Sequence, residues 1–102
     1  MDTFEVIVRN ALAEVELLMA GSLKGDAFLA EVKEVLSDCT DSNYCVPDNR
    51  IEQLRLLGRA AIRQFDSFDY VPEAERFVSL ATDLSKTVDL NICATREKPE
   101  SA

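Results

Sequence analysis

The side chains of this 102-residue chain best suited to chemistry are four closely spaced carboxylates, Asp66, Asp69, Glu73 and Glu75, and three thiols, Cys39, Cys45 and Cys93. Paired carboxylates act as general acid and general base when their surroundings split their pKa values. That requires burial or a like-charged neighbour, whereas acids in a polar stretch between helical blocks are normally solvated. The chain has no histidine, so it lacks the commonest general base near neutral pH and the commonest metal ligand. Structural zinc takes four ligands, usually in close Cys pairs or with histidines, and three dispersed cysteines do not supply them. Nor is there a phosphate-cradling glycine loop, a nucleophile elbow or an HExxH pair. The reading is non-catalytic, with no cofactor and no metal, and it points to binding.

Charge says what kind of binding. Nineteen acidic residues stand against eleven basic ones, a formal charge of −8. Such a charge repels nucleic acids and anionic lipid and favours cationic proteins. Two stretches carry no Lys or Arg, Ser37 to Asn49 and Gln64 to Glu75. In the second, Phe65, Phe68 and Tyr70 alternate with Asp66 and Asp69. Phe65 belongs to a core stripe, but Tyr70 has no stripe to join. An acidic rim around an aromatic ring suits a basic protein partner, because charge steers encounter and the ring supplies desolvated contact. The first stretch, with Tyr44 among Asp38, Asp41 and Asp48, has the same composition and extends that surface. The candidate partner-binding residues are therefore Asp66, Asp69, Tyr70, Glu73 and Glu75, joined by Asp38, Asp41, Tyr44 and Asp48.

These residues hang on helices. Apolar side chains recur at steps of three and four in four blocks, and no stretch alternates as a half-buried strand would. The first block runs from about Thr3 to Ala20 through Phe4, Val8, Leu12, Val15 and Leu18, and Gly21 ends it with a left-handed cap. The second starts at the cap Asp26 and buries Phe28, Leu29, Val32, Val35, Leu36 and Cys39, stopping near Asp38 or Cys39. Thr40 to Pro47 is the longest loop. The third block begins at Asp48 or Asn49 and places Ile51, Leu54, Leu57, Ala61, Ile62 and Phe65 on its buried face. Pro72 suits the first turn of a fourth, with Glu73 and Glu75 near the positive end of its dipole and Ala74, Phe77, Ala81, Leu84 and Val88 as its stripe. The expected fold is all-α, a single-domain antiparallel four-helix bundle over residues 1–93 with a polar tail over 94–102.

Three cysteines without an export signal suggest free thiols in a reducing cytoplasm, with a Cys39–Cys45 bridge open to the chain if it meets oxidant. Cys39 continues the apolar stripe of the second helix. The stretch Met1 to Gly21 is interrupted by Asp2, Glu5, Glu14 and Glu16 and reads as neither signal nor anchor, and no segment is apolar enough to span a membrane. Arg55, Arg59 and Arg63, with Arg50 one turn earlier, form a basic stripe expected to pair with Glu14, Glu31 or Glu34 on neighbouring helices.

Two segments carry a family resemblance: Leu17-Leu18-Met19-Ala20-Gly21-Ser22-Leu23-Lys24-Gly25-Asp26-Ala27-Phe28, and Phe65 to Phe77 with its Pro72-Glu73-Ala74-Glu75-Arg76 ending. They resemble the small helical immunity proteins of the colicin D immunity type, which neutralise nuclease toxins. The resemblance implies a bundle that occludes the active site of a cationic, RNA-cleaving toxin domain. Asp66, Asp69, Glu73 and Glu75 would then stand where substrate phosphates lie, and Tyr70 would anchor. The Thr40 to Pro47 loop has no counterpart in that pattern. Two other classes share the composition: an acidic secretion chaperone or adaptor holding a partner segment in an apolar groove, and a phage-encoded inhibitor of a nucleic-acid enzyme.

Overall fold

In a computed structural model, residues 3–21, 23–65 and 72–94 are described. Four helices, α1 (Thr3–Ala20), α2 (Ala27–Asp41), α3 (Ile51–Phe65) and α4 (Glu75–Thr87), run up and down as an antiparallel four-helix bundle. Short 3-10 turns at Asp48–Arg50, Pro72–Ala74 and Val88–Leu90 introduce α3, introduce α4 and close α4. Among the described residues there is no strand, and no helix is long and apolar enough to cross a membrane.

The stripes read from the sequence become one core. Phe4, Val8, Ala11, Val15 and Leu18 of α1 meet Leu29, Val32, Leu36 and Cys39 of α2, Leu54, Leu57, Ala61 and Phe65 of α3, Phe77, Ala81 and Leu84 of α4, and Val88 of the turn that closes α4. A leucine buried as completely as Leu84 contributes about 1.5–3 kcal/mol by leaving water. No described polar or charged side chain is buried, so nothing in the interior demands a hydrogen-bond partner. Ile62 departs from its expected place. It is 43% exposed, because the buried arc of α3 centres on Leu54, Gly58, Ala61 and Phe65 and Ile62 lies just past its edge.

Two features of the loops differ from expectation. Gly21 does not take the left-handed conformation; Gly25 does, at φ 80°, in the turn before α2. Gly21 instead carries a tight turn in which its own N–H and that of Leu23 both donate to the Leu18 carbonyl. Asp26 then caps α2 as expected, its Oδ1 accepting from the Leu29 N–H at 3.0 Å. At the other end α2 continues to Asp41, and the chain reverses through Asn43 and Tyr44, both left-handed at φ 60° and 58°. For asparagine that conformation is common, whereas a tyrosine adopts it only when its surroundings hold it there.

The cysteines also depart from expectation. Cys45 and Cys93 form a disulfide across 48 residues, leaving Cys39 as the free thiol, buried in the core. The free thiols expected from the sequence at Cys45 and Cys93 are thus replaced by a bond between them, and the Cys39–Cys45 bridge left open under oxidation does not form. Cys39 faces inward from α2, while the stretch after α4 runs back beside Val46. There Val46 N–H donates to the Asn91 carbonyl and Cys93 N–H to the Val46 carbonyl, a one-residue parallel bridge between Val46 and Ile92 that places the two sulfurs together. The described chain ends at residue 94, so the expected tail from Thr95 onward lies outside the described residues.

The helices are not evenly spaced. α3 and α4 pack most closely, and α1 covers α2 and α4. A Cβ at Gly58 would sit 3.1 Å from both Ser85 Oγ and Thr82 Cα. Ser85 uses that proximity, accepting from Gly58 N–H at 2.7 Å and donating to the Leu54 carbonyl at 2.9 Å. The α2 and α3 backbones, by contrast, barely approach.

Candidate functional site

Up-and-down topology decides where the expected binding residues go. One end of the bundle gathers the start of α1, the end of α2, the start of α3 and the end of α4. Here lie the disulfide, Tyr44, Asp41 and Asp48. The other end gathers Phe28, Phe65 and Phe77, whose rings meet edge to face with centroids 5.9–6.4 Å apart. Glu73 and Glu75 are exposed beside this aromatic end, at the entry to α4. Glu73 and Glu75 therefore do not adjoin Asp41 and Asp48; the length of a helix separates them. Asp66, Asp69 and Tyr70 lie outside the described residues.

At the disulfide end the expected residues have distinct fates. Asp41 and Asp48 are exposed and face the same open depression, floored by Ser42, Pro47 and Cys93. Tyr44 is not an exposed anchor. Its ring is half-buried against the core, the Arg9 guanidinium lies 5.3 Å from its centroid, and Arg9 Nε donates to its hydroxyl at 3.2 Å. That hydrogen bond, and then the Glu5 carboxylate 2.7 Å away, raise the Arg9 pKa above its ordinary value. Tyr44 thus ties the reversal after α2 to α1. Asp38 is likewise engaged, accepting from Arg50 Nε at 2.6 Å. No three His, Cys, Asp or Glu side chains converge to hold a metal among the described residues.

The arginine stripe also resolves residue by residue. Arg50, with only 16% of its side chain exposed, reaches Asp38, Glu34 at 3.2 Å and Gln53 at 2.7 Å, and the Asp38 hydrogen bond is the main cause of its raised pKa. Gln53 passes the network on to Glu31 at 3.3 Å. Arg55 pairs with Asp89 at 2.7 Å rather than with α1 or α2. Glu14 faces Arg76 of α4 at 3.8 Å. Arg59 and Arg63 are exposed.

What the sequence did not announce is the seam between α2 and α3. An apolar groove of about 320 Å3 opens there, lined by Phe28, Val32 and Val35 on one wall and Leu56, Leu57 and Ala60 on the other, with Glu31 and Gln53 at its margin. Leu56 is 48% exposed on its rim. The aromatic cluster holds the seam at one end, and the Arg50–Asp38–Glu34 and Gln53–Glu31 links hold it at the other. Along the outer edge of α2, Glu31, Glu34, Asp38 and Asp41 follow steps of three, four and three, which puts four carboxylates in one row. Two features of the sequence could have marked the seam. One was that 3-4-3 spacing of acids, and the other was Leu56, an apolar residue standing off the Leu54–Leu57–Ala61 stripe. No family model, curated protein or solved structure matches this chain, so what this surface binds is argued from its own residues.

Proposed function

We propose that the protein is a non-catalytic binder that captures a cationic protein on the acidic edge of α2, and that it acts as an immunity-type inhibitor of a nuclease toxin domain. The single observation that carries the reading is the row of Glu31, Glu34, Asp38 and Asp41 beside exposed apolar surface. Arg50 sets its one positive charge against Glu34 and Asp38, whereas Glu31 receives only a neutral hydrogen bond from Gln53, so Glu31 and Asp41 meet no cation among these contacts. A row of like charges steers a basic partner during approach, and adjacent apolar surface supplies the contact that holds it. The resemblance to colicin D-type immunity proteins supports the toxin as partner. Glu73 and Glu75, at the far end, form a separate patch in this reading and not part of the same contact.

An inhibitor of this kind works in the cytoplasm of the cell that makes the toxin. The Cys45–Cys93 bond weighs against that part of the reading, because cytoplasmic reductants keep most thiols free. The groove favours a second reading, an adaptor or secretion chaperone that holds a segment of its client. The test is rescue. The chain is co-expressed in bacteria with a panel of cationic RNA-cleaving toxin domains, and growth is scored. Rescue from one toxin by the native chain, lost with Glu31→Lys plus Asp41→Lys while helical circular dichroism is unchanged, supports inhibition through this edge. Absence of rescue across the panel, or rescue indifferent to the reversal, removes it.

A further inference from the structure

We infer that the α2–α3 groove is the seat of one amphipathic helix from the partner, about two turns long, with an apolar ridge and a Lys- or Arg-bearing flank turned toward α2. The inference rests on the proposed capture of a cationic protein and adds the shape of what is captured.

Length sets the first constraint. The α2 wall runs from Phe28 to Val35, seven steps of about 1.5 Å or roughly 10 Å, which matches two turns of a docked helix. Three side chains at i, i+3 or i+4, and i+7 therefore reach the groove. Chemistry sets the second. Val32, Val35 and Leu57 form a buried floor, and the half-exposed Leu56 stands on the rim, so the ridge of the occupant must be aliphatic or aromatic. Isolated exposed leucines such as Leu17 and Leu90 are ordinary. Leu56 differs because it borders a concave apolar surface.

Charge sets the third constraint and gives the occupant its direction. On the α2 side the groove is bordered by Glu31, with Glu34, Asp38 and Asp41 along the same edge. On the α3 side the row through Leu56 carries Glu52 four residues before it and Arg59 and Arg63 three and seven beyond, all exposed, so bases outnumber the one acid there. A helix basic on both flanks would meet arginines on one side. A helix basic on one flank and neutral or acidic on the other matches both walls. An extended strand is excluded as the occupant on this geometry, because neither wall offers the unpaired backbone donors and acceptors that strand addition needs.

The probe is a synthetic helix of about 16 residues with Leu at i, i+4, i+7 and i+11, Lys along one flank and Gln elsewhere. Two controls replace either the lysines with glutamate or the leucines with glutamine. Binding is followed by methyl NMR on the full chain. The expected result is saturable binding below about 1 mM with shifts at Val32, Val35, Leu56 and Leu57, and weakening of about tenfold or more for either control peptide. Leu56→Glu and Glu31→Lys should each weaken the Leu/Lys peptide about tenfold with helical circular dichroism unchanged, and Leu56→Ala provides a milder rim change.

The outcomes separate the two claims. Equal binding of the leucine-free peptide, with shifts confined to the acidic edge, would overturn the helix seat and leave capture by charge standing. Equal binding of the glutamate peptide would overturn both. No saturable binding of any peptide would overturn the seat, with capture then judged by the toxin rescue. A second copy is the principal rival occupant, since α3 itself carries Leu56 beside Arg59 and Arg63. A dimer in sedimentation that Leu56→Glu converts to monomer would assign the groove to it and overturn the inference.

Discussion

Replacing Cys45 and Cys93 with alanine removes a covalent closure of 48 residues. The chain-entropy relation assigns a loop of that size about −14 cal/mol/K in the unfolded state, or about 4 kcal/mol at 25 °C. That is a large share of the 5–15 kcal/mol typical of a domain. For a chain of about 100 residues each kcal/mol moves the midpoint by roughly 4–8 °C, so the double variant should melt some 15–30 °C below the oxidised protein. Reduction with dithiothreitol should reproduce most of that drop. The folded state loses little besides the bond, because the Val46–Asn91 and Cys93–Val46 backbone hydrogen bonds hold the same two segments together. The assay is thermal and urea unfolding by circular dichroism, with thiols titrated under denaturing conditions before reduction. One titrating thiol, Cys39, is expected. If three thiols titrate in protein kept oxidised, or if the variant melts within a few degrees of the parent, the loop-closure argument fails.

Burial first, and then the neighbouring Asp38, push the Cys39 thiol up to about 12, with Arg50 opposing. Below pH 9 the thiol is protonated in both states and its stabilisation is complete; between about 9 and 12 only the unfolded chain ionises, so stability falls as pH rises. The urea midpoint should therefore decline over that range more steeply in the parent than in Cys39→Ala, and parallel slopes would contradict the burial. Gly58→Ala sets a helix-propensity gain of about 1 kcal/mol against overpacking of about 1–3 kcal/mol. Because one of the opposing atoms is Thr82 Cα, in the backbone, a net loss of about 1 kcal/mol in chemical unfolding is expected, and a stabilised variant would show that α4 yields freely. Asp26→Ala should cost about 1 kcal/mol by removing the cap on Leu29, while Asp26→Asn should retain most of it in the same melts.

The local part of the fold was legible because helices are local. Spacing alone located all four, the Asp26 cap, and the Leu54–Leu57–Ala61–Phe65 and Phe77–Ala81–Leu84–Val88 stripes that fill the core. What failed depended on chain reversal. Cys93 reaches Cys45 only because the residues after α4 fold back along Val46, a contact that cysteine spacing does not encode. Asp48 and Glu73 lie 25 positions apart and share a composition, yet one helix between them puts them at opposite ends of the bundle. Tyr44 looked like an anchor from its acidic neighbours; its partner is Arg9, 35 positions away. The groove was hidden for a related reason. Its walls are each ordinary stripe edges, and it exists because α2 and α3 do not close on one another.

The open seam follows from the sizes of the residues that set the helix spacings. Gly58 and Ser85 let α3 sit close against α4, while along the other edge of α3 the Phe28 ring at one end and the Arg50 side chain at the other act as props against α2. Between the props stands Ala60, too small to fill the gap. Ala60→Leu should therefore plug the groove from within. Burying the added side chain offers up to about 2 kcal/mol, and since cavity filling in natural folds commonly returns about 0.5–2 kcal/mol, a gain near 1 kcal/mol in urea unfolding is expected. The same change should remove the seat for a docked helix and abolish shifts at Val32 and Leu57 on adding the Leu/Lys peptide, with Glu31 and Asp41 untouched. A variant that is more stable yet binds the peptide as before would place the contact elsewhere. One that loses both stability and binding would show that the space between α2 and α3 is already filled to its working density, which would contradict the groove itself.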